Sequence, residues 1–267
     1  MVSMIHTMYT MHTRHPLLTV GSLFSGIGGL DLGLARAGMQ IVWQVEIDTY
    51  ARRVLAKHWP DVTRFPDVRE VGAHHLSPVD LICGGFPCQD ISDAGKKAGI
   101  TGARSSLWKE FARIVCALRP RYVLVENVAA LTRRGLSTVL GDLAACGYDA
   151  EWQCLPAAAV GAPHQRARIF VVAYSDSAGL ALRPVFGPDA RTQLAAFKRD
   201  SGSWWDAEPA VGRMAHGVAH RVERLRGLGN AVVPHVAEFV GRCILAREDH
   251  HRIEQAQSSV RSTDSYS

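Results

Sequence analysis

Nowhere in this chain of 267 residues does an apolar run approach the roughly 18 residues that a membrane-spanning helix requires. The N-terminus also lacks the Lys/Arg cluster followed by an apolar run that marks a secretory signal. The six cysteines (Cys83, Cys88, Cys116, Cys146, Cys154, Cys243) stand singly, with no CxxC pair. That spacing gives neither a zinc knuckle nor a dense disulfide framework, and a reducing, intracellular compartment fits it best. Charged residues make up only 21% and aromatics 7% of the chain, while 47% are apolar, so a sizeable core can be buried and a wholly disordered chain is excluded. No internal repeat is present. The formal charge of +5 permits a nucleic-acid partner without requiring one.

From Leu17 onward, short β-branched runs alternate with helical patterns. Strands are expected at Leu18 to Phe24, Ile41 to Val45, Val79 to Cys83, Tyr122 to Val125, Ala150 to Leu155 and Ile169 to Ala173. Helices are expected at Leu30 to Ala37 and Tyr50 to His58. Another carries Leu107, Phe111, Ile114, Val115 and Leu118 on one face. This is the rhythm of a parallel α/β sheet. Residues 1–16 read as a frayed leader and 17–174 as the main domain. Residues 175–213, with scattered Gly, Pro, Ser and Asp around Trp204 and Trp205, read as an inserted lobe. Residues 214–248 return to the main domain through a helix carrying Val236, Phe239, Val240, Cys243 and Ile244. The polar segment 249–267 is expected to be disordered.

Several blocks carry chemistry. Phe24-Ser25-Gly26-Ile27-Gly28-Gly29 follows a strand and opens a helix, where glycines admit a ligand close to the backbone. Glu46 ends the next strand about 20 residues later, where a ribose-binding carboxylate belongs. Gly84-Gly85-Phe86-Pro87-Cys88-Gln89 delivers a cysteine onto a loop at the carboxyl edge of the sheet, among polar neighbours and ahead of Lys96 and Lys97. Buried cysteines normally sit within apolar strands or helices, as Cys83, Cys116 and Cys243 are expected to, so Cys88 stands out as a nucleophile candidate. Glu126 ends the Tyr122 to Val125 strand at the same edge, where burial would hold a carboxyl protonated as an acid. Arg166 and Arg168 alternate ahead of and into the Ile169 strand, so both are expected on one face.

Taken together and in this order, these blocks resemble the DNA (cytosine-5)-methyltransferase family. The match comprises Phe24 to Gly29, Glu46, Asp67, Pro87-Cys88-Gln89, Glu126-Asn127-Val128, Arg166-Ala167-Arg168 and Gly229-Asn230-Ala231-Val232-Val233-Pro234. One departure is His164, which stands where the family usually has Gln, with Gln165 displaced by one. The resemblance implies a Rossmann-like methyltransferase sheet with a small inserted target-recognition lobe. It also implies S-adenosylmethionine as cofactor and double-stranded DNA as partner. In that reading Cys88 adds to C6 of a flipped-out cytosine, Glu126 serves N3, and Arg168 and Arg166 contact the base. Phe24, Gly26 and Gly28 would line the cofactor, Glu46 would take its ribose and Asp67 its adenine amino group. Ile47, Val68 and Leu107 would sandwich the adenine, and Asn230, Ala231 and Val232 would close the site. A cytoplasmic monomer of bacterial or phage type, acting in DNA modification, is the expectation. Two alternatives stay open: a tRNA cytosine-5 methyltransferase, and a catalytically silent DNA-binding protein on the same fold.

The modest total charge is unevenly spread. Residues 96–134 hold nine Lys/Arg against Glu110 and Glu126, and 183–226 hold eight against five acidic residues. Both segments flank the expected Cys88 loop, as phosphate contacts would have to.

Overall fold

A computed structural model describes residues 17–87, 106–175, 184–200 and 221–264. Seven strands form one sheet: β1 (Thr19–Leu23), β2 (Gln40–Val45), β3 (Thr63–Phe65), β4 (Leu81–Gly84), β5 (Tyr122–Val128), β6 (Tyr148–Leu155) and β7 (Arg168–Ser175). Their spatial order is β3-β2-β1-β4-β5-β7-β6. The first five run parallel, as expected, while β7 is antiparallel to both β5 and β6. The physical reason lies in the connection. Between β6 and β7 the chain makes only a 3-10 turn at Ala157–Val160, with no helix to carry it across the sheet, and so short a link returns the strand antiparallel. Two further differences concern β3, a three-residue edge strand that the sequence did not announce, and β5, which runs past Val125 to Val128. Pairing of Val128 with Arg168 holds that extension, so Glu126 lies within the strand.

Strand residues alternate between two cores, as buried strands covered on both faces must. Leu81, Cys83, Tyr122, Leu124, Phe170 and Val172 face one side. There α1 (Gly29–Ala37), α6 (Pro188–Asp200) and α8 (Pro234–Asp264) cover them with Leu34, Phe197, Phe239 and Val240. Ile82, Val123, Val125, Ile169 and Val171 face the other, under Trp108, Phe111, Ile114 and Val115 of α3 (Ser106–Leu118) and Val139 and Leu143 of α5 (Leu136–Ala145). Among the described residues the remaining α-helices are α2 (Thr49–His58), α4 (Leu131–Arg134) and α7 (Arg221–Asn230).

Three expectations need correction. Residues 188–200, read as part of an aperiodic lobe, form α6 against the main core. Val185, Ala190 and Phe197 are buried there, and Phe197 meets Phe239 edge-on at 6.0 Å. The backbone N–H groups of Val185 and Phe186 donate to the Glu151 carboxylate at 2.6 and 2.9 Å, which ties the segment to the β6 edge. Residues 201–213 lie outside the described residues. The polar tail expected from Asp249 instead continues α8 to Asp264. Its charges sit at helical spacing, with Arg252 bonded to Glu248 at 2.8 Å, so polarity there reflects a solvated helix face. Finally, Cys116, expected to be buried, lies on the exposed side of α3, its Cα 5.5 Å from that of Cys146 after α5.

Candidate active site

The carboxyl ends of β1, β2, β4 and β5 open into a cavity of about 640 Å³. This is where an open α/β sheet binds its ligand. One half is built by the Gly-rich turn. Phe24 and Gly26 adopt left-handed backbones, and the Gly26 N–H donates to Glu46 Oε2 at 2.7 Å. The second oxygen of Glu46 accepts from the Asp48 N–H, also at 2.7 Å, so both oxygens are fixed in direction while their remaining lone pairs stay available. Arg52 donates to the carbonyls of Glu46 and Ile47 at 2.9 and 2.8 Å and holds that turn. As a result Ile47 lines the cavity as an apolar plate, with 64% of its surface left exposed by the described residues. Val68 and Leu107 line the same region. Arg113 fixes the Val68 side by donating to the Val68 and Val71 carbonyls at 3.1 and 2.8 Å.

The other half holds Glu126. Its carboxyl is buried, and Arg168 Nε lies 3.1 Å from Oε1. Burial pushes this carboxyl up to about 7, against the opposing pull of Arg168 and Arg166. Gly85 makes the arrangement possible, since a Cβ at that position would stand 2.6 Å from Glu126 Oε2. Asn127 donates from Nδ2 to the Phe86 carbonyl at 3.2 Å and anchors the loop that leads through Pro87. Cys88 itself lies outside the described residues. Pro87, its neighbour, lines the cavity beside Glu126, Asn127 and Arg168.

Of the residues expected from sequence, Phe24, Gly26, Glu46, Ile47, Asp67, Val68, Leu107, Glu126, Arg168, Asn230, Ala231 and Val232 all line this one cavity. Gly28 does not. It forms the left-handed N-cap of α1 and lies against Trp59, whose ring would be 2.6 Å from an added Cβ, so its part is to let helix and ring approach. Arg166 does not line it either. A φ of +35° ahead of the strand breaks the alternation that would have put it beside Arg168, and its Nη2 donates instead to the Gly229 and Ala231 carbonyls at 2.7 Å each. Asp67 already accepts a fork of hydrogen bonds from Arg69, at 2.5 to 3.1 Å, which holds its carboxyl below the usual range. Neither His164 nor Gln165 lines the cavity.

Sequence reasoning missed Asp31. It is wholly buried on α1 and accepts from Ser22 Oγ at 3.0 Å and Gln44 Nε2 at 2.8 Å, with burial pushing it up to about 6. Its place in a Leu-Asp-Leu helical run reads as a solvated position, and only the packing of α1 over β1 and β2 reveals otherwise.

The family sequence model for C-5 cytosine-specific DNA methylase matches residues 18–202. The chain belongs to this family. Type II methyltransferase M2.BsuMI of Bacillus subtilis (strain 168) is 37% identical to it over 164 residues, covering 58% of this chain and 42% of that protein. M.NgoFVII of Neisseria gonorrhoeae is 35% identical over 157 residues, covering 57% of this chain and again 42% of the relative. The chain thus spans less than half the length of these curated relatives. Among solved structures, a protein described as a DNA modification methyltransferase encoded within an Escherichia coli prophage superposes with a TM-score of 0.54 at 32% identity. That match covers 62% of this chain and 49% of that one. The fold is therefore that of the C-5 cytosine-specific DNA methylase family.

Proposed function

We propose that the chain is a DNA cytosine-5 methyltransferase that uses S-adenosylmethionine and a covalent bond from Cys88. The observation that carries this reading is one cavity holding both a buried, proton-retaining carboxyl at Glu126 and, across from it, a Gly-rich turn with Glu46 and the exposed Ile47 plate. The cavity suits the cofactor by size and lining. About 640 Å³ is ample for a nucleoside-sized ligand, apolar walls at Ile47, Val68 and Leu107 suit an adenine, and the Glu46 carboxylate suits ribose hydroxyls. When bound, S-adenosylmethionine supplies an electrophilic methyl group.

The protein must make cytosine C5 nucleophilic. The Cys88 thiolate adds to C6, and Glu126 gives its proton to N3 as the ring electrons shift toward C5. Arg168 holds the Glu126 carboxyl in place and steadies it once ionised. After C5 has taken up the methyl group, its proton passes to water, the electrons it leaves expel the Cys88 thiolate from C6, and N3 returns its proton to Glu126. A cytosine inside a duplex cannot reach this pocket, so the base must flip out at a cost of a few kcal/mol. The working enzyme in this reading is a cytoplasmic monomer acting on duplex DNA. Among the described residues no helix is long and apolar enough to cross a membrane.

Tritiated methyl transfer to duplex DNA by the full chain, run beside tRNA, tests the reading. Label is expected in DNA and to vanish in Cys88→Ser, with S-adenosylmethionine binding kept. Label in tRNA alone, or full activity in the Ser variant, refutes the substrate or the mechanism respectively.

A further inference from the structure

The two arginines of the Arg166-Ala167-Arg168 block do different things. Arg168 turns to Glu126, with Nε 3.1 Å from Oε1. Arg166, at a φ of +35°, turns the other way, a backbone state that long side chains adopt only where surroundings impose it. Its Nη2 donates to the Gly229 and Ala231 carbonyls, both at 2.7 Å. These carbonyls flank Asn230 and belong to the segment Gly229 to Val232 that walls the cavity, 63 residues further along the chain. The same segment is otherwise held by an Ala231 N–H bond to Gly227 at the end of α7, a helix whose residues are mostly exposed. Val232 also lies directly against α1, where its carbonyl would be 2.4 Å from a Cβ on Gly29. A displacement of this wall would therefore open the cavity at the Gly-rich turn.

We infer that Arg166 is a positioning residue for the cofactor half of the site: its guanidinium latches the Gly229 to Val232 wall over the cavity and sets the affinity for S-adenosylmethionine before DNA arrives. This rests on the reading of the cavity as an S-adenosylmethionine site. Both bonds come from one nitrogen, so a lysine ammonium, with three donors on a single atom, can supply them in part, whereas an apolar side chain cannot.

The test measures S-adenosylmethionine binding to the DNA-free full chain by calorimetry, beside kcat at saturating cofactor. In Arg166→Met the Kd is expected to rise roughly tenfold, the scale of charge-assisted hydrogen bonds exchanged for water. kcat at saturating cofactor should stay within about twofold, the signature of a residue that acts through binding alone. Arg166→Lys should recover part of the lost affinity. Arg168→Met should show the reverse, an unchanged cofactor Kd and a fall in kcat. Arg166→Gln serves as a second variant should Met lower the melting temperature at this half-exposed position. An unchanged cofactor Kd in a folded Arg166 variant, with the loss confined to KM for DNA or to kcat, overturns the latch and assigns Arg166 to the DNA side. A wild-type chain that does not bind S-adenosylmethionine overturns the functional reading itself, which separates the two failures.

Discussion

Glu126 concentrates the chemistry in a single side chain. With its carboxyl pushed up to about 7 by burial, it keeps its proton below about pH 7 and, in the proposed mechanism, is the acid for cytosine N3. kcat/KM is therefore expected to fall above about pH 7, and Glu126→Gln, which keeps a donor but has no proton to transfer, should lose on the order of 10² to 10⁴ in kcat. A pH–rate profile of both proteins checks this. Stability carries the opposite mark. Below the ordinary value of 4.5 the group is protonated whether folded or unfolded, and its burial incurs no ionisation penalty; as pH rises from 4.5 to about 7 the unfolded chain ionises first and the folded state loses ground. The melting temperature of Glu126→Gln relative to wild type should accordingly be highest at pH 8 and decline as pH falls to 4. Glu126 was legible because Glu126-Asn127-Val128 follows an apolar strand in the order in which the family carries its blocks. Arg166 was misread because period-2 alternation holds only inside a strand, and β7 begins two residues later, at Arg168.

At the scale of elements, α8 shows why polarity and disorder were confused. Glu248 is 2% exposed, accepts Arg121 Nη2 at 2.7 and 2.8 Å, the Tyr122 hydroxyl at 3.1 Å and Arg252 Nε at 2.8 Å, and so bolts the helix to the start of β5. Burial alone would raise this carboxyl, but the hydrogen bonds outweigh it and leave it below its ordinary value. The stabilisation is then fully present above pH 4.5 and lost as pH falls through the lower folded value. Glu248→Ala should cost about 2–4 kcal/mol at pH 7, since it strands Arg121 and Tyr122. Urea unfolding should show the difference from wild type shrinking in acid. In the sequence, Glu248 sits at the edge of a charged run and nothing local says that Arg121, 127 residues away, will meet it. The long strands and amphipathic helices were legible because each repeats its own period. The edge strand β3 was not, being too short to show one, and the antiparallel β7 was not, because direction is set by the connection and not by composition.

For the whole molecule, the family match ends at residue 202, yet the fold and the cavity do not. Glu223, Arg226, Gly227 and Gly229 to Val232 wall the cavity from the far end of the chain. Beyond them, Val236, Ala237, Phe239, Val240, Cys243 and Ile244 cover one face of the sheet together with α1 and α6. Burying a large apolar side chain contributes about 1.5–3 kcal/mol, so the four largest of these outweigh much of the roughly 5–15 kcal/mol by which a domain is stable. A chain ended after Gly202 would uncover the face of α1 at Gly33 and Leu34, which packs on Ala237 and Gly241. It is expected to be insoluble or to lack a cooperative melting transition, and not to bind S-adenosylmethionine. A chain ended after Arg252 keeps the Glu248 anchor and every residue of the cavity wall, and should fold and bind the cofactor as the full chain does. Expression, circular dichroism and cofactor calorimetry on the two truncations decide it: a soluble, cofactor-binding chain ended at Gly202 would mean that the C-terminal return neither completes the core nor forms the wall.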